Sequence, residues 1–267
     1  MTLLQAAILG IVEGFTEYLP ISSTAHLVLA SHILRLPQTE FVKSFEIIIQ
    51  SGAILAVIVL YSRKFLNLEI IKRLFVAFLP TGIIGFVLYK LIKGFFIGNT
   101  SLILWVLGIG GVVLIVFEKL IKFRSSVQPP PTRGENLSVN ATLETLDYKT
   151  CFLIGIFQSL AVVPGVSRSA ATIVGGMLLG LTRQMIVEFS FLLAVPTLIA
   201  ATVLDVIKTP EIFSSGQTSF LAVGFVTAFI TAIISIKWLL QVVRHHTFVS
   251  FGIYRIVVAL LFVWVLF

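Results

Sequence analysis

Long apolar stretches dominate the sequence, and their lengths predict how the chain is arranged. Six stretches are long enough to cross about 30 Å of hydrocarbon as a helix. They lie near residues 45–61, 71–92, 101–121, 188–207, 219–241 and 252–267. The pattern therefore predicts six transmembrane helices.

Two further apolar regions, 3–34 and 151–182, are interrupted near their middle by Pro, Ser and Thr. The first interruption reads Leu-Pro-Ile-Ser-Ser-Thr and the second Pro-Gly-Val-Ser-Arg-Ser. Neither half of either region reaches the roughly 20 residues that a membrane-spanning helix needs. We predict that each region is a re-entrant helix–loop–helix that returns to its own side of the bilayer. Two complete crossings are the alternative.

The halves of the chain align with each other at an offset of about 145 residues, which indicates an internal duplication. Glu13 aligns with Gln158, and Ser22 with Ser167. Each half would contain one re-entrant hairpin and three crossings, so the second copy must be inverted. We predict a single all-α integral membrane domain with an inverted-topology repeat. Its parts are repeat one over residues 1–124, a linker over 125–149 and repeat two over 150–267.

The composition excludes a soluble or disordered protein. Of the 267 residues, 58% are hydrophobic and 12% are charged, whereas soluble domains carry about 25% charged residues. The single cysteine, Cys151, excludes an internal disulfide and a cysteine-based metal cluster.

Basic residues predict the orientation in the membrane. Thirteen of them, Arg255 included, fall on one side of the predicted crossings and five on the other, with Arg168 inside a break. By the positive-inside rule, the thirteen-residue side is cytoplasmic. The polar linker is then cytoplasmic, and both termini and the first hairpin face outward. This bias explains the net charge of +7 without a nucleic-acid partner.

Two acidic residues in the first hairpin are costly at membrane depth. Glu13 and Glu17 lie one helical turn apart, and a charge at the bilayer centre costs about 2.5–3.5 kcal/mol. Gly10 and Gly14 give the same helix a bare face that another helix can approach closely.

Hydroxyl groups and helix starts follow both interruptions. Such positions cap a helix, and the free N–H groups of its first turn form an anion site. An arginine beside them suits bidentate phosphate binding. The candidate residues are Ser22, Ser23, Thr24 and His26 in the first half and Ser167, Arg168, Ser169 and Thr172 in the second.

Each group also suits a purely structural role. Residues 22–24 could have no role beyond capping a helix. The two glutamates could pair with Arg168 simply to hold the hairpins together, and His26 could be a core histidine whose hydrogen bonds are satisfied. Glu46 and Gln50, one turn apart, suit interhelical hydrogen bonds. A functional site is favoured because the unusual polar groups all cluster at two duplicated breaks.

Carboxylates, a Ser/His pair and an arginine beside helix N-termini suit cleavage of a phosphoanhydride on a lipid. Ser23 is the better candidate nucleophile and His26 the better proton shuttle, although the reverse is chemically open. Glu13 and Glu17 are suited to hold a divalent cation, Mg²⁺ or Ca²⁺, or to couple to the histidine.

The segments around both interruptions closely resemble the signature segments of the undecaprenyl-diphosphatase family of the bacitracin-resistance type. They are Glu-Gly-Phe-Thr-Glu-Tyr-Leu-Pro-Ile-Ser-Ser-Thr-Ala-His (13–26) and Pro-Gly-Val-Ser-Arg-Ser-Ala-Ala-Thr (164–172). Further matches at 44–52 and 188–196 extend the resemblance over essentially the whole chain.

The resemblance implies a bacterial inner-membrane hydrolase that depends on a divalent cation. It would convert undecaprenyl diphosphate, a polyprenyl lipid, to the monophosphate at a site open to the outer face. It leaves open whether the protein forms a homo-oligomer. It implies catalytic roles for Ser23, His26, Glu13, Glu17 and Arg168. Ser22, Ser167 and Thr172 also match the family's functional residues. We predict that they bind the substrate together with Thr24, Ser169 and Gln50.

The sequence departs from the family at Ala25 and Ala170, where glycine is usual. A methyl group there resists positive φ and close approach of the backbone to phosphate, so we expect activity to persist with altered affinity. A secondary transporter or lipid flippase is the chief alternative function, because transporters also use inverted repeats with broken helices.

Overall fold

The computed structural model describes residues 1–91, 99–127, 142–208 and 217–266, and in these ranges it is all-helical. In chain order the α-helices are α1 (Leu3–Thr16), α2 (Ser23–Ile33), α3 (Glu40–Ile48), α4 (Gln50–Leu60), α5 (Leu68–Leu91), α6 (Thr100–Val127), α7 (Tyr148–Ser159), α8 (Arg168–Leu178), α9 (Arg183–Lys208), α10 (Thr218–His245) and α11 (Val249–Leu266).

Five helical segments of the described chain are long and apolar enough to cross a membrane. They are Glu40–Leu60 (α3 with α4), Leu68–Tyr89, Thr100–Lys122, Arg183–Lys208 and Thr218–His245. They correspond to five of the six predicted crossings. The sixth, predicted at 252–267, corresponds to α11, a shorter apolar helix. The chain is therefore an all-α, multi-pass membrane protein.

Both predicted interruptions are breaks between short helices. Break 1, residues 17–22, separates α1 from α2, and break 2, residues 160–167, separates α7 from α8. These helices have 11 to 14 residues, or about 16–21 Å at 1.5 Å per residue, which is too short to cross the bilayer. Ser22 (φ 71°) and Gly165 (φ 95°) turn the chain with left-handed backbone conformations.

The two halves of the chain interlock. α1 packs against α10 and α7 against α5, while α4 packs against α10 and α9 against α5, and α6 pairs with α11. In these contacts, equivalent helices of the two halves pack against equivalent partners. The boundaries of the repeats and the inversion of the second half stay predictions. Most of the predicted linker, 128–141, lies outside the described residues.

The α1–α10 contact depends on the bare face that the sequence predicts. A Cβ atom added to Gly10 would lie 2.4 Å from the carbonyl oxygen of Gly224, and one added to Gly14 would lie 2.2 Å from that of Ala228. The prediction that Gly10 and Gly14 admit a closely packed helix is confirmed. Thr231 also donates a hydrogen bond to the carbonyl of Gly10 at 3.5 Å.

The sequence-based placement of Arg255 on the basic side is wrong. Its side chain is only 1% exposed, and it donates hydrogen bonds to the carbonyls of Pro20 and Gly165, one in each break. The sequence does not reveal this burial, because a single basic residue in an apolar helix can lie at the membrane surface or inside the protein. The orientation itself stays a prediction.

Replacing Gly14 with alanine is expected to destabilise the protein by about 1–3 kcal/mol, because the new methyl group overpacks a closed helix contact. Thermal unfolding in detergent measures the effect. Gly108→Ala is the matched control, since a Cβ atom there would meet Ala259 at an ordinary 3.5 Å. Equal unfolding temperatures for the two variants would contradict the close α1–α10 contact.

Candidate active site

Break 1 places a carboxylate and two serines at the start of α2. Glu17 follows the last residue of α1, and Ser22 caps α2 by accepting a hydrogen bond from the backbone N–H of Ala25. The hydroxyl of Tyr18 donates to the carbonyl of Ala53 at 2.7 Å, which anchors the break to α4. The capping role that the sequence allowed for Ser22 is therefore present.

Break 2 contacts break 1 directly. Ser167 caps α8 by accepting from the N–H of Ala170 at 3.2 Å, and its hydroxyl lies 3.3 Å from the carbonyl of Leu19. The Ser169 hydroxyl donates to the carbonyl of Tyr18 at 2.9 Å. The N-termini of α2 and α8 therefore meet, as the sequence predicts.

A chain of three polar side chains runs across the two breaks. Ser23 donates a short hydrogen bond to Oε2 of Glu17. The other oxygen, Oε1, accepts from Nη2 of Arg168 at 3.2 Å and from Nε at 3.4 Å. All three residues are at most 9% exposed. A buried ion pair thus links the hairpins, and it also orients the serine hydroxyl.

Arg168 keeps the capacity to bind an anion. Its Nη1 donates to the carbonyl of Ser190 at 2.8 Å, and its guanidinium carbon lies 5.9 Å from the ring centre of Tyr18. A guanidinium has five N–H donors, and the contacts with Glu17 and Ser190 use three of them. Two donors therefore remain for a phosphoryl group.

These groups form one end of a cavity of about 830 Å³. The polar end is lined by Glu17, Ser22, Ser23, Thr24, Ser167 and Arg168. Apolar side chains of α5 and α9 line much of the rest, among them Phe78, Ile83, Phe86, Leu198, Leu204 and Ile207, together with polar ones such as Lys43, Tyr89 and Asp205. The cavity therefore joins a charged pocket to a largely hydrophobic groove.

The expected pairing of Ser23 with His26 is not present. The Nδ1 atom of His26 donates to the carbonyl of Ser22 at 2.8 Å, and Nε2 lies 2.9 Å from the hydroxyl of Tyr254, whose ring is stacked on the imidazole. His26 does not line the cavity. The sequence spacing was misleading because Tyr254, which is remote in the sequence, holds the imidazole toward α11.

Glu13 lies one turn before Glu17 and is fully buried. Neither of its carboxylate oxygens has a hydrogen-bond partner among the described residues. No group of three or more His, Cys, Asp or Glu side chains suited to a metal occurs in the described ranges. A cation held here would therefore have few protein ligands. Glu13 has the unpaired oxygens but does not line the cavity, whereas Glu17 lines it.

A second polar network lies beside break 2, and the sequence analysis missed it. Gln158, the counterpart of Glu13, is fully buried and donates to the hydroxyls of Thr81 and Thr197, both at 3.0 Å. Thr172 donates to the carbonyl of Arg168 at 2.9 Å and lies 3.4 Å from Oε1 of Gln158. The alignment of Gln158 with Glu13 was the feature of the sequence that could have predicted this network.

The predicted phosphate-binding residues divide into two groups. Ser22, Thr24, Ser167 and Gln50 line the cavity. Ser169 and Thr172 do not, and both are fully buried. The Ser169 hydroxyl binds break 1, and the Thr172 hydroxyl joins α8 to α7.

Glu46 has the structural role that the sequence allowed and also lines the cavity. It accepts a hydrogen bond from the hydroxyl of Ser31 at 2.6 Å, which joins α3 to α2.

Ala25 and Ala170 do not strain the backbone, and their effect on affinity stays a prediction. Both residues lie within the first turn of a helix, and neither is among the described residues with positive φ. Their backbone N–H groups already donate to Ser22 and Ser167, so the methyl groups strain neither break.

The fold and the site define an integral membrane enzyme with a serine, a carboxylate and an arginine at the polar end of an amphipathic cavity. Residues 6–261 match the family described as bacitracin resistance protein BacA, and the chain belongs to that family.

Curated relatives support this assignment over almost the full length. The chain is 52% identical to the undecaprenyl-diphosphatase of Sulfurihydrogenibium sp. (strain YO3AOP1), with 98% of each chain covered. It is 50% identical to the undecaprenyl-diphosphatase of Aquifex aeolicus, again with 98% of each covered. For that of Wolinella succinogenes the identity is 46%, over all of this chain and 99% of the relative.

Breaking the buried ion pair from either side is expected to cost about 3–5 kcal/mol of stability, because one charge is left buried without its partner. Glu17→Gln and Arg168→Met should each lower the free energy of unfolding, and the double variant should lose less than the sum. Denaturant unfolding in detergent gives the three values. The exposed pair Lys72–Glu69 is the control and should show little coupling. Additive losses for Glu17 and Arg168 would contradict an energetic link between the breaks.

Proposed function

We propose that this protein hydrolyses undecaprenyl diphosphate to undecaprenyl phosphate and inorganic phosphate. The observation that carries the proposal is the Ser23–Glu17–Arg168 chain at the polar end of a cavity that continues as a hydrophobic groove. The polar end suits a diphosphate, and the groove between α5 and α9 suits a polyprenyl tail. The names of the relatives support the same substrate.

Ser23 is the nucleophile that the geometry favours. Its hydroxyl lines the cavity and already donates to a carboxylate, which is the arrangement that activates a weak nucleophile. Ser23 Oγ attacks the terminal phosphorus, its proton passes to Glu17, and the bond from that phosphorus to the bridging oxygen breaks. The lipid leaves as the monophosphate, and a phosphoserine remains.

Proton transfer to Glu17 also changes the charge balance around Arg168. A protonated Glu17 no longer neutralises the guanidinium, so the positive charge becomes available to the oxygens of the phosphoryl group. Glu17 gives this proton to the bridging oxygen of the departing lipid monophosphate and so becomes a carboxylate again. Water then attacks the phosphoserine and Glu17 takes a proton from the water. Glu17 returns that proton to Ser23 Oγ as the bond from phosphorus to Ser23 Oγ breaks and inorganic phosphate leaves. Glu17 thus serves as the proton acceptor in both steps.

His26 is a positioning residue in this mechanism. Both ring nitrogens are engaged, one by the carbonyl of the helix-capping Ser22 and the other by Tyr254. The imidazole therefore fixes the start of α2, and with it the direction of the Ser23 hydroxyl.

Glu13 and Glu17 differ as ligands for a divalent cation, Mg²⁺ or Ca²⁺, since Glu17 lines the cavity and Glu13 does not. The buried Glu13 carboxylate has two oxygens without described partners, whereas both oxygens of Glu17 accept hydrogen bonds. When bound, the ion would neutralise charge on the diphosphate oxygens. We place Glu13, assisted by Glu17, as its protein ligands.

The proposed setting is the bacterial inner membrane. We place the first hairpin and both termini on the outer face, from the distribution of basic residues. The reaction then regenerates the monophosphate form of the cell-wall lipid carrier at the side where the diphosphate is released.

Replacing Ser23 with alanine is expected to reduce phosphate release by at least about 1,000-fold, since the nucleophile is lost. The assay uses purified protein in detergent with a polyprenyl diphosphate and no second compartment, so a transporter would release no phosphate. His26→Asn is the matched variant and should retain measurable turnover. Phosphate trapped on His26, with Ser23→Ala still active, would contradict the serine mechanism.

Removal of divalent cations by a chelator is expected to abolish phosphate release, and added Mg²⁺ or Ca²⁺ should restore it. Glu13→Gln should weaken binding of the ion in a calorimetric titration, because a neutral amide replaces a charged ligand. The control is Glu144→Gln, which changes an exposed carboxylate. Full activity in the presence of chelator would exclude the proposed cation.

A further inference from the structure

Arg255 of α11 is fully buried, and its guanidinium is surrounded by backbone carbonyls. Nη2 donates to Gly165 at 2.9 Å and approaches Val106 at 3.5 Å, Nη1 donates to Pro20 at 3.4 Å, and Nε donates to Leu107 at 3.1 Å. All its hydrogen bonds with described residues go to main-chain oxygens. A cation without a carboxylate partner is costly at this depth, so its presence calls for a specific reason.

Two of these carbonyls occupy equivalent positions in the two breaks. Pro20 and Gly165 are separated by the same 145-residue offset that aligns Ser22 with Ser167, and each precedes a capping serine by two residues. One side chain therefore binds the same point of both breaks. The Glu17–Arg168 pair joins the breaks through side chains, and Arg255 joins them through their backbone.

The position opposite Arg255 is kept empty of side chains. A Cβ atom on Gly110 would lie 2.1 Å from Nη2 of Arg255. Gly111 and Gly252 allow α6 and α11 to pack closely, since a Cβ atom on Gly111 would lie only 2.6 Å from the carbonyl oxygen of Gly252. The glycines of α6 thus leave the space that the guanidinium occupies.

We propose that Arg255 is a positioning residue that sets the separation of the two breaks, and thereby the alignment of Ser23 and Glu17 with Arg168. The inference rests on the proposed hydrolysis. A planar guanidinium with donors in fixed directions can hold two carbonyls in one geometry, which a flexible ammonium group cannot do. Misplacement of reacting groups by about 1 Å can cost 100-fold in rate.

The test compares Arg255→Met and Arg255→Lys with the parent protein in the detergent assay of phosphate release. Both variants are expected to lower kcat by about 10- to 100-fold while KM changes little, since the substrate pocket is intact and its alignment is lost. Arg73→Met is the matched control. Arg73 is also buried and donates to a main-chain carbonyl, that of Leu146 at 2.6 Å, but it touches neither break, so kcat should be unchanged.

Three outcomes would overturn the inference. Full kcat for Arg255→Lys would mean that the positive charge alone is sufficient. Unchanged kcat for folded Arg255→Met would mean that the contacts only stabilise the protein. If kcat fell as much in Arg73→Met as in Arg255→Met, the effect would not be specific to the breaks. Failure of the parent protein to release phosphate would instead reject the proposed function, so the two failures are distinct.

A second variant keeps the test decisive if the Arg255 variants do not fold. Gly110→Ala retains the arginine, but its added methyl group would lie 2.1 Å from Nη2 and displace the guanidinium from the breaks. A smaller loss of kcat, about 3- to 10-fold, is expected. Gly108→Ala, two residues earlier with ordinary contacts, should keep parental kcat. Equal kcat for the two glycine variants would overturn the inference.

Discussion

The buried ion pair between Glu17 and Arg168 is the contact on which the site depends. It joins two residues that are 151 apart in the sequence, in a region where unpaired charges cost several kcal/mol. The same carboxylate accepts the hydrogen bond of Ser23. The contact that holds the hairpins together therefore also orients the serine hydroxyl. For Glu17, the structural role and the functional role that the sequence allowed are compatible.

Much of the fold follows from sequence patterns with a direct physical cause. Apolar length predicted the crossings, Pro20 and Pro164 marked the breaks, and Gly10 and Gly14 predicted a close helix contact. The clustering of hydroxyls, carboxylates and Arg168 at the breaks was also visible, because such groups are rare in apolar segments.

Side-chain partners were less predictable, because they depend on residues that are remote in the sequence. The interval between Ser23 and His26 suggested a pair, but Tyr254 takes the imidazole and Glu17 takes the serine. Arg255 was assigned to the surface because nothing local reveals the carbonyls of Pro20 and Gly165 that bind it. Gln158 was overlooked for a related reason: its partners Thr81 and Thr197 lie on two other helices.

The packing of α1 against α10 has a consequence for biosynthesis. The first helix to leave the ribosome finds its partner only after some two hundred further residues have been made, as the 221-residue separation of Gly10 and Thr231 shows. Contacts of such long range form late. Until then the acidic groups of the first hairpin lack their protein surroundings, so a nascent chain cannot acquire a working centre before its last two helices are inserted.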